Sequence, residues 1–208
     1  ASPVGPDYIP GHAHADTLSF EFSIGLERVF VNSGISEYGL SPARTLQRKT
    51  CSHNTVEVDE KDSSQVWSGF RVAKRARILD RRAELQSGKK ILLRATHSGY
   101  KTLFGGCLHT RQLMLGDVNL SVTDVLNGSF RHAKSRLYFH PDLIISLEKN
   151  FLIVKGINFV LTSDLTGNLA SIVDATWHPE FGMTKSNQAL ELEFDSERLK
   201  VNFSWTYS

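Results

Sequence analysis

Several features that would place this chain in a special class are missing from its sequence. No apolar run approaches the roughly 20 residues that a membrane-spanning helix needs, so we expect no membrane span. The formal net charge is only +2, because 24 Lys and Arg residues nearly balance 22 Asp and Glu residues. Charge therefore gives no argument for a nucleic-acid partner, and we expect none.

Cysteine and helical patterning are also scarce. The two cysteines, Cys51 and Cys107, are too few for a disulfide framework. One bridge between them cannot be read from their spacing, and we expect two free, mostly buried thiols. No stretch of ten or more residues shows helical periodicity with caps. The segment RTLQRKTCSHN is polar and basic, and we interpret it as a loop.

Short segments of alternating apolar and polar residues dominate the chain. The segment TLSFEFSIG is an example, followed by ERVFVNSG after a turn at Gly25. Further turns are predicted at Lys149-Asn150 and Lys155-Gly156. More than ten such strands without a linker predict one all-β domain over residues 1–208, a large antiparallel two-sheet β-sandwich.

The segment GHAHAD places three potential ligands at every second position. If it is a strand, His12, His14 and Asp16 share one face and two alanines lie on the other. Two imidazoles on one strand suit a divalent metal, which needs further ligands from elsewhere. Taken alone, the pattern is equally compatible with surface or capping histidines.

A second cluster lies in RKTCSHNTVEVD, where His53 precedes an apolar strand. The letters SHN also supply ordinary turn and cap chemistry. Arg44, Arg48 and Lys49 lie just upstream. These basic residues are either a solvated loop or the contacts of an anionic ligand, since the arginine fork matches carboxylate or sulfate.

Together these pieces resemble the C-terminal domain of heparinase II/III-like polysaccharide lyases. The resemblance covers most of the chain, and the order and spacing of the pieces make it specific. It rests on GHAHADTLSFEFSIGLERVFVNSG, CSHNTVEVD, SGFRVAKRARI, HSGY, HTRQLML, VTDVLNGSFRH and WHPEFG.

The resemblance implies a role for individual residues. His12 would lie at the active site and neutralise or hydrogen-bond a uronate carboxylate, with Arg44 and Arg48 as substrate-binding arginines. His14 and His53 would bind a structural divalent metal, typically zinc. The remaining ligand in the family is usually an aspartate in V-D-S-G, and this chain has Asn32 there. A neutral amide oxygen weakens divalent binding. If the metal is absent, a hydrogen-bonded cluster of His14, Asn32 and His53 is the expected substitute.

The activity implied is β-elimination at a uronic acid of an acidic polysaccharide. The family's catalytic tyrosine comes from an N-terminal α/α toroid, which this sequence does not contain. We therefore expect this chain to be the sandwich part of a larger enzyme, inactive alone, in the bacterial periplasm or secreted. The alternative is a non-catalytic module that binds an anionic glycan.

Other residues allow two interpretations each. Lys74, Arg75 and Arg77 could face a polyanion, although a charge run is usually a solvated face. Three tryptophans could stack on sugars, although tryptophan in a sandwich is more often core. His97 and His109 could line a cleft, although a structural role is favoured. Tyr38 is expected to pack near a strand turn.

Overall fold

The computed structural model describes residues 3–6, 8–102 and 106–208, and most of them lie in β-strands. Sixteen strands occur in these described ranges. In chain order they are β1 (Phe22–Ile24), β2 (Glu27–Phe30), β3 (Val56–Val58), β4 (Val66–Trp67), β5 (Arg71–Val72), β6 (Ile78–Gln86), β7 (Lys90–His97), β8 (Cys107–Leu115), β9 (Asn119–Gly128), β10 (Ala133–Tyr138), β11 (Ile144–Glu148), β12 (Phe151–Lys155), β13 (Phe159–Asp164), β14 (Leu169–Trp177), β15 (Lys185–Phe194) and β16 (Arg198–Tyr207).

Two antiparallel sheets form the sandwich. The larger has eight strands in the order β11-β12-β13-β16-β9-β8-β7-β6, and the smaller has four in the order β14-β15-β10-β3. Two hairpins, β1-β2 and β4-β5, form separate two-stranded sheets, although a bridge between Phe30 and Phe139 joins β2 to the residue that follows β10. One apolar core contains Leu120 and Phe203 of the larger sheet with Leu137 and Leu190 of the smaller one. The predicted all-β two-sheet sandwich is confirmed.

The alternation in the sequence produces this core directly. In β16, Leu199, Val201, Phe203 and Trp205 are buried, while the residues between them are exposed. Side chains on a strand point to opposite faces in turn, so this pattern buries one face and leaves the other to solvent.

The predicted hairpin turns are also present. Gly25, with φ +59°, lies between β1 and β2. Lys149 and Asn150 have φ values of 48° and 65° between β11 and β12, as a two-residue turn with left-handed backbone requires. At the other predicted turn, the Gly156 N–H donates to the Phe159 carbonyl at 3.0 Å.

The loop predicted from RTLQRKTCSHN was wrong for part of its length. Residues Pro42–Gln47 form a short helix, α1, and Thr50–Ser52 form one turn of 3₁₀ helix. The Ser41 hydroxyl accepts the Arg44 N–H at 2.9 Å and Pro42 opens the helix. These are favourable N-terminal residues. A helix of six residues is too short to show apolar periodicity.

The strand predicted to begin at GHAHAD is also absent, since β1 begins at Phe22. The Ser19 N–H donates to the Asp16 carbonyl at 2.8 Å, and Leu18 has φ +66°. A positive φ is incompatible with extended strand. The segment before β1 is therefore irregular.

Both thiols are free, as predicted, with Cys107 buried and Cys51 half-buried. None of the helices in the described ranges has the length and apolar character to cross a membrane.

Candidate functional site

The HAHAD segment keeps the two faces that the sequence predicts, although it is not a strand. Ala13 and Ala15 are buried, His12 is exposed and His14 is half-buried. The Ala15 N–H donates to the Arg48 carbonyl at 2.9 Å. Backbone contacts on the alanine side therefore hold the segment so that His12 reaches solvent and His14 reaches His53 and Arg44.

Arg48 holds this segment against its neighbours. Its guanidinium is almost completely buried and donates to the carbonyls of Ala13 at 3.0 Å, Ser68 at 3.0 Å and Arg71 at 3.1 Å. The first carbonyl belongs to the HAHAD segment, and the other two belong to the turn and the second strand of the β4-β5 hairpin. All three side-chain nitrogens are thus used within the protein, and Arg48 fixes the hairpin beside the histidines.

Arg44, on α1, lies under the same segment and is fully buried. It donates to the carbonyls of Gly11 and Gly69, each at 3.4 Å, and its Nη1 is 3.3 Å from His14 Nε2. Its guanidinium carbon lies 5.2 Å from the centroid of the Tyr38 ring. Neither arginine faces solvent in this arrangement, and substrate binding by Arg44 and Arg48 stays a prediction.

The structure brings together the three residues expected at the metal site. His14 Nδ1 lies 3.2 Å from His53 Nε2, and His53 Nδ1 lies 3.0 Å from Asn32 Oδ1. Arginine can only donate, so His14 Nε2 accepts from Arg44. His14 Nδ1–H then donates to His53 Nε2, and His53 Nδ1–H donates to the Asn32 carbonyl oxygen. We call this assigned sequence of hydrogen bonds the histidine chain.

Electrostatics favour the neutral form of both imidazoles. Burial, followed by the charges of Arg44 and Arg48, lowers the pKa of His14 to about 4. Burial, followed by His14, lowers the pKa of His53 to about 3. Both rings are therefore neutral near pH 7, as the donor and acceptor assignment requires.

The donor set fits a metal only in part. A tetrahedral zinc with Zn–N bonds of about 2.0 Å places two ligand nitrogens about 3.3 Å apart, close to the 3.2 Å between His14 Nδ1 and His53 Nε2. Asn32, however, contacts the opposite nitrogen of His53 and could not ligate the same ion. Metal on His14 Nδ1 would also place an N–H on Nε2, facing the donor of Arg44. As arranged, the residues fit the hydrogen-bonded chain better, and zinc stays a prediction.

No group of three or more His, Cys, Asp or Glu side chains suited to a metal occurs in the ranges that the structure describes.

Sequence reasoning missed an aromatic cluster beside His12. Tyr38 packs between Phe70 and Phe181, with ring centroids at 6.2 Å and 5.3 Å and planes within 28° of parallel. The His12 ring meets Tyr38 edge to face at 5.4 Å. We define Tyr38, Phe70 and Phe181 as the aromatic cluster, and all three rings are substantially exposed. The three rings come from distant segments of the sequence, so no local spacing could have indicated the aromatic cluster.

A second pair of histidines lies inside the larger sheet. His97 and His109 are cross-strand partners on β7 and β8, with Nε2 and Nδ1 3.0 Å apart. His109 Nε2 is 2.7 Å from Asp124 Oδ1, and Arg111 donates to both oxygens of Asp124 at 2.8 Å. Each of the four side chains is at most 3 % exposed. The favoured structural role of His97 and His109 agrees with this burial.

Comparison with known proteins identifies the family. The family model described as heparinase II/III-like, C-terminal, matches residues 1–206. The chain belongs to this family. No curated protein sequence matches it.

Solved structures of lyases share the fold. A mutant heparan sulfate lyase HepC from Pedobacter heparinus is 18% identical, with a TM-score of 0.74 over 100% of this chain and 32% of its own length. Another structure of heparan sulfate lyase HepC from Pedobacter heparinus is 16% identical. Its TM-score is 0.72 over 95% of this chain and 31% of its own length. A heparinase III is 15% identical, with a TM-score of 0.70 over the same shares. This chain thus spans about a third of each of these lyases.

Proposed function

We propose that this chain forms one wall of the active site of a polysaccharide lyase, which cleaves a uronate-containing acidic polysaccharide by β-elimination. The observation that carries the proposal is the exposed His12, held at the edge of the aromatic cluster in a chain of the heparinase II/III-like family. An exposed imidazole offers a hydrogen-bond donor to a carboxylate. The flat faces of exposed aromatic rings suit the C–H faces of sugars.

β-Elimination at a uronate requires only a base, an acid and stabilisation of the charge that develops at C5. A base removes the proton from C5 of the uronate, the C5–H electron pair forms the C4=C5 double bond, and the C4–O4 bond breaks. An acid returns a proton to O4, and the uronate carboxylate accepts hydrogen bonds that stabilise charge developing at C5. We assign this carboxylate contact to His12.

Arg44 and Arg48 act as positioning residues in this proposal rather than as substrate contacts. Arg48 ties the carbonyl of Ala13, next to His12, to the β4-β5 hairpin. Arg44 supports the aromatic cluster from below through Tyr38. Their burial prevents a substrate from reaching either guanidinium without a rearrangement of the loop.

The proposal also includes a second wall outside this chain. The matched lyases are about three times as long as this chain, which supports a larger parent enzyme. An α/α toroid N-terminal to residue 1 would supply the tyrosine that exchanges protons at C5 and O4. The histidine chain would hold the loop in shape, and no proposed step passes through a metal.

Absorbance of the unsaturated uronate product tests the proposal. The parent enzyme should release this product from an acidic polysaccharide, and the 208-residue chain alone should not. His12→Ala in the parent should abolish release, whereas His132→Ala, a half-buried histidine beside Asp59, should not.

Product from the isolated chain, or full turnover by His12→Ala, would overturn the proposal. A parent that binds the glycan without forming product would instead identify a binding module.

A further inference from the structure

A cleft with a volume of about 1110 Å³ lies among the described residues, and none of the residues of the histidine chain or of the aromatic cluster lines it. Its walls come from residues 61–67, which end in β4, from residues 73–78, which connect β5 to β6, and from the turn after β7. Pockets for drug-sized ligands have volumes of about 300–1,000 Å³. The cleft can therefore hold a short oligosaccharide.

Positive charge is concentrated around this cleft. Its lining includes five basic residues and one acidic residue, Asp62, although the whole chain carries a formal charge of only +2. Asp62 is half-buried and accepts the Thr50 N–H at 2.7 Å. The five basic residues are Lys61, Lys74, Arg75, Arg77 and Lys101.

Four of these cations have no acidic partner among the residues that the structure describes. Lys61, Lys74, Arg77 and Lys101 are exposed and form no ion pair with any residue in the described ranges. Arg75 donates to the Pro6 carbonyl at 3.1 Å. The positive charge of the cleft is therefore largely available to a ligand.

A second basic region, on β6 and β7, shows the opposite arrangement. On β6 and β7, Arg82 pairs with Glu84, and Arg94 pairs with Asp80 at 3.1 Å. These acids neutralise the arginines next to them. Exposed arginines on the neighbouring strands β6 and β7 thus have acidic partners, unlike the exposed cations of the cleft.

The cleft also contains an exposed aromatic ring. Trp67 is 55% exposed, whereas Trp177 and Trp205 are each 6% exposed. The Arg71 guanidinium lies 5.9 Å from its ring centroid. An indole face beside unpaired cations suits a sugar ring that carries sulfate or carboxylate groups.

We propose that this cleft is a second binding site for an anionic oligosaccharide, separate from the His12 site and without catalytic function. It would hold the polymer through Lys74, Arg77 and Lys101, with a sugar ring on Trp67. Only the chemical class of this ligand rests on the proposed function. The assignment of the cleft as a binding site rests on its charge, its volume and its exposed indole.

The test measures binding of a fluorescently labelled heparin hexasaccharide to the 208-residue chain. The triple variant Lys74→Ser, Arg77→Ser, Lys101→Ser should bind about tenfold more weakly, since each exposed ion pair contributes modestly and three are removed. Its affinity should also depend less on salt. The matched control is Lys149→Ser, Lys155→Ser, Lys200→Ser, which removes three exposed lysines elsewhere that form no ion pair within the described part of the chain. It should bind like the unmodified chain.

Tryptophan emission supplies an independent readout. Because Trp67 is the one strongly exposed tryptophan, unlabelled hexasaccharide should change the emission, and Trp67→Phe should abolish that change. Unfolding midpoints of all variants should match, since every substituted side chain is exposed.

Equal weakening in both triple variants would overturn the proposal, because net charge alone would then explain binding. Single-stranded DNA of equal charge binding as tightly would overturn the assignment to a glycan. The two triple variants test the cleft by binding to the 208-residue chain, whereas loss of lyase turnover in His12→Ala of the parent enzyme tests the proposed function separately.

Discussion

Two pairs of histidines have their rings in contact, and the two pairs differ in the group at which each ends and in their exposure to solvent. His14 and His53 approach to 3.2 Å, and His97 and His109 approach to 3.0 Å. The first pair ends at a neutral amide, Asn32. The second ends at the carboxylate of Asp124, and Arg111 donates one hydrogen bond to each oxygen of this carboxylate.

Access to solvent separates the two regions further. The His97 pair is closed within the sheet. The His14 pair lies beneath a loop whose next histidine, His12, is exposed beside open aromatic rings. Residue type alone therefore does not mark a functional site. The first region combines a rigid buried support with an exposed reactive group, whereas the second has only the support.

Among the substitutions that test this comparison, Asp124→Asn is expected to change the free energy of unfolding most. The substitution leaves the buried Arg111 charge without its carboxylate, which should lower the free energy of unfolding by about 3–5 kcal/mol. Urea denaturation measures it. Asp80→Asn, which breaks an exposed pair with Arg94, is the control and should cost about 1 kcal/mol or less. Equal losses would show that the sheet network is not a stabilising ion pair.

A pH titration of stability examines both pairs together. Burial lowers the pKa of His14 to about 4, that of His53 to about 3, and those of His97 and His109 as well. Below pH 6.5 the unfolded chain therefore binds protons that the folded chain does not.

Stability should thus be highest above pH 6.5 and fall as the pH decreases, with each histidine contributing a slope of up to about 1.4 kcal/mol per pH unit. Urea midpoints at pH 7.5, 6.5 and 5.5 measure this change. A constant midpoint down to pH 5.5 would contradict neutral, buried imidazoles.

Zinc affinity tests the group at which the first pair ends, which is the amide of Asn32. Asn32→Asp places a carboxylate on His53 Nδ1–H, which increases the basicity of Nε2 and should raise zinc affinity about tenfold. Competition with a chelator measures the affinity, and Asn168→Asp, in the exposed turn after β13, is the control. Unmodified protein that retains one equivalent of zinc against the chelator would contradict the histidine chain.

The smallest effect on stability is expected at the aromatic cluster. Phe181 is 66% exposed, so Phe181→Ala should change the free energy of unfolding by about 0.5 kcal/mol or less. In the parent enzyme the same change should raise KM several-fold with a smaller effect on kcat, because it removes part of a sugar-binding surface. An unchanged KM would exclude the cluster from substrate binding. Phe151→Ala, at an exposed position of β12, is the matched control.

The sequence predicts the sandwich and much of the site for identifiable reasons. Alternation like that of β16 reports directly which face is buried, and the family resemblance implies the set His14, Asn32 and His53, which the structure brings together. The short helix α1 was missed because its signal is a cap rather than a period.

The burial of Arg44 and Arg48 could not be predicted, because their partners are backbone carbonyls of distant segments. A carbonyl is present at every residue, so sequence carries no mark of which one an arginine will reach. The aromatic cluster escaped prediction for a related reason, since only the fold brings Tyr38 and Phe181 together.

The most direct test of the account compares kcat and the free energy of unfolding for His12→Ala and His109→Gln in the parent enzyme. We predict that His12→Ala lowers kcat at least about 100-fold, with stability within about 0.5 kcal/mol of the unmodified enzyme. His109→Gln should lower stability by about 1–3 kcal/mol and leave kcat of the folded enzyme nearly unchanged. The reverse pattern, with activity lost at His109 and retained at His12, would contradict the assignment of the exposed region as the functional one.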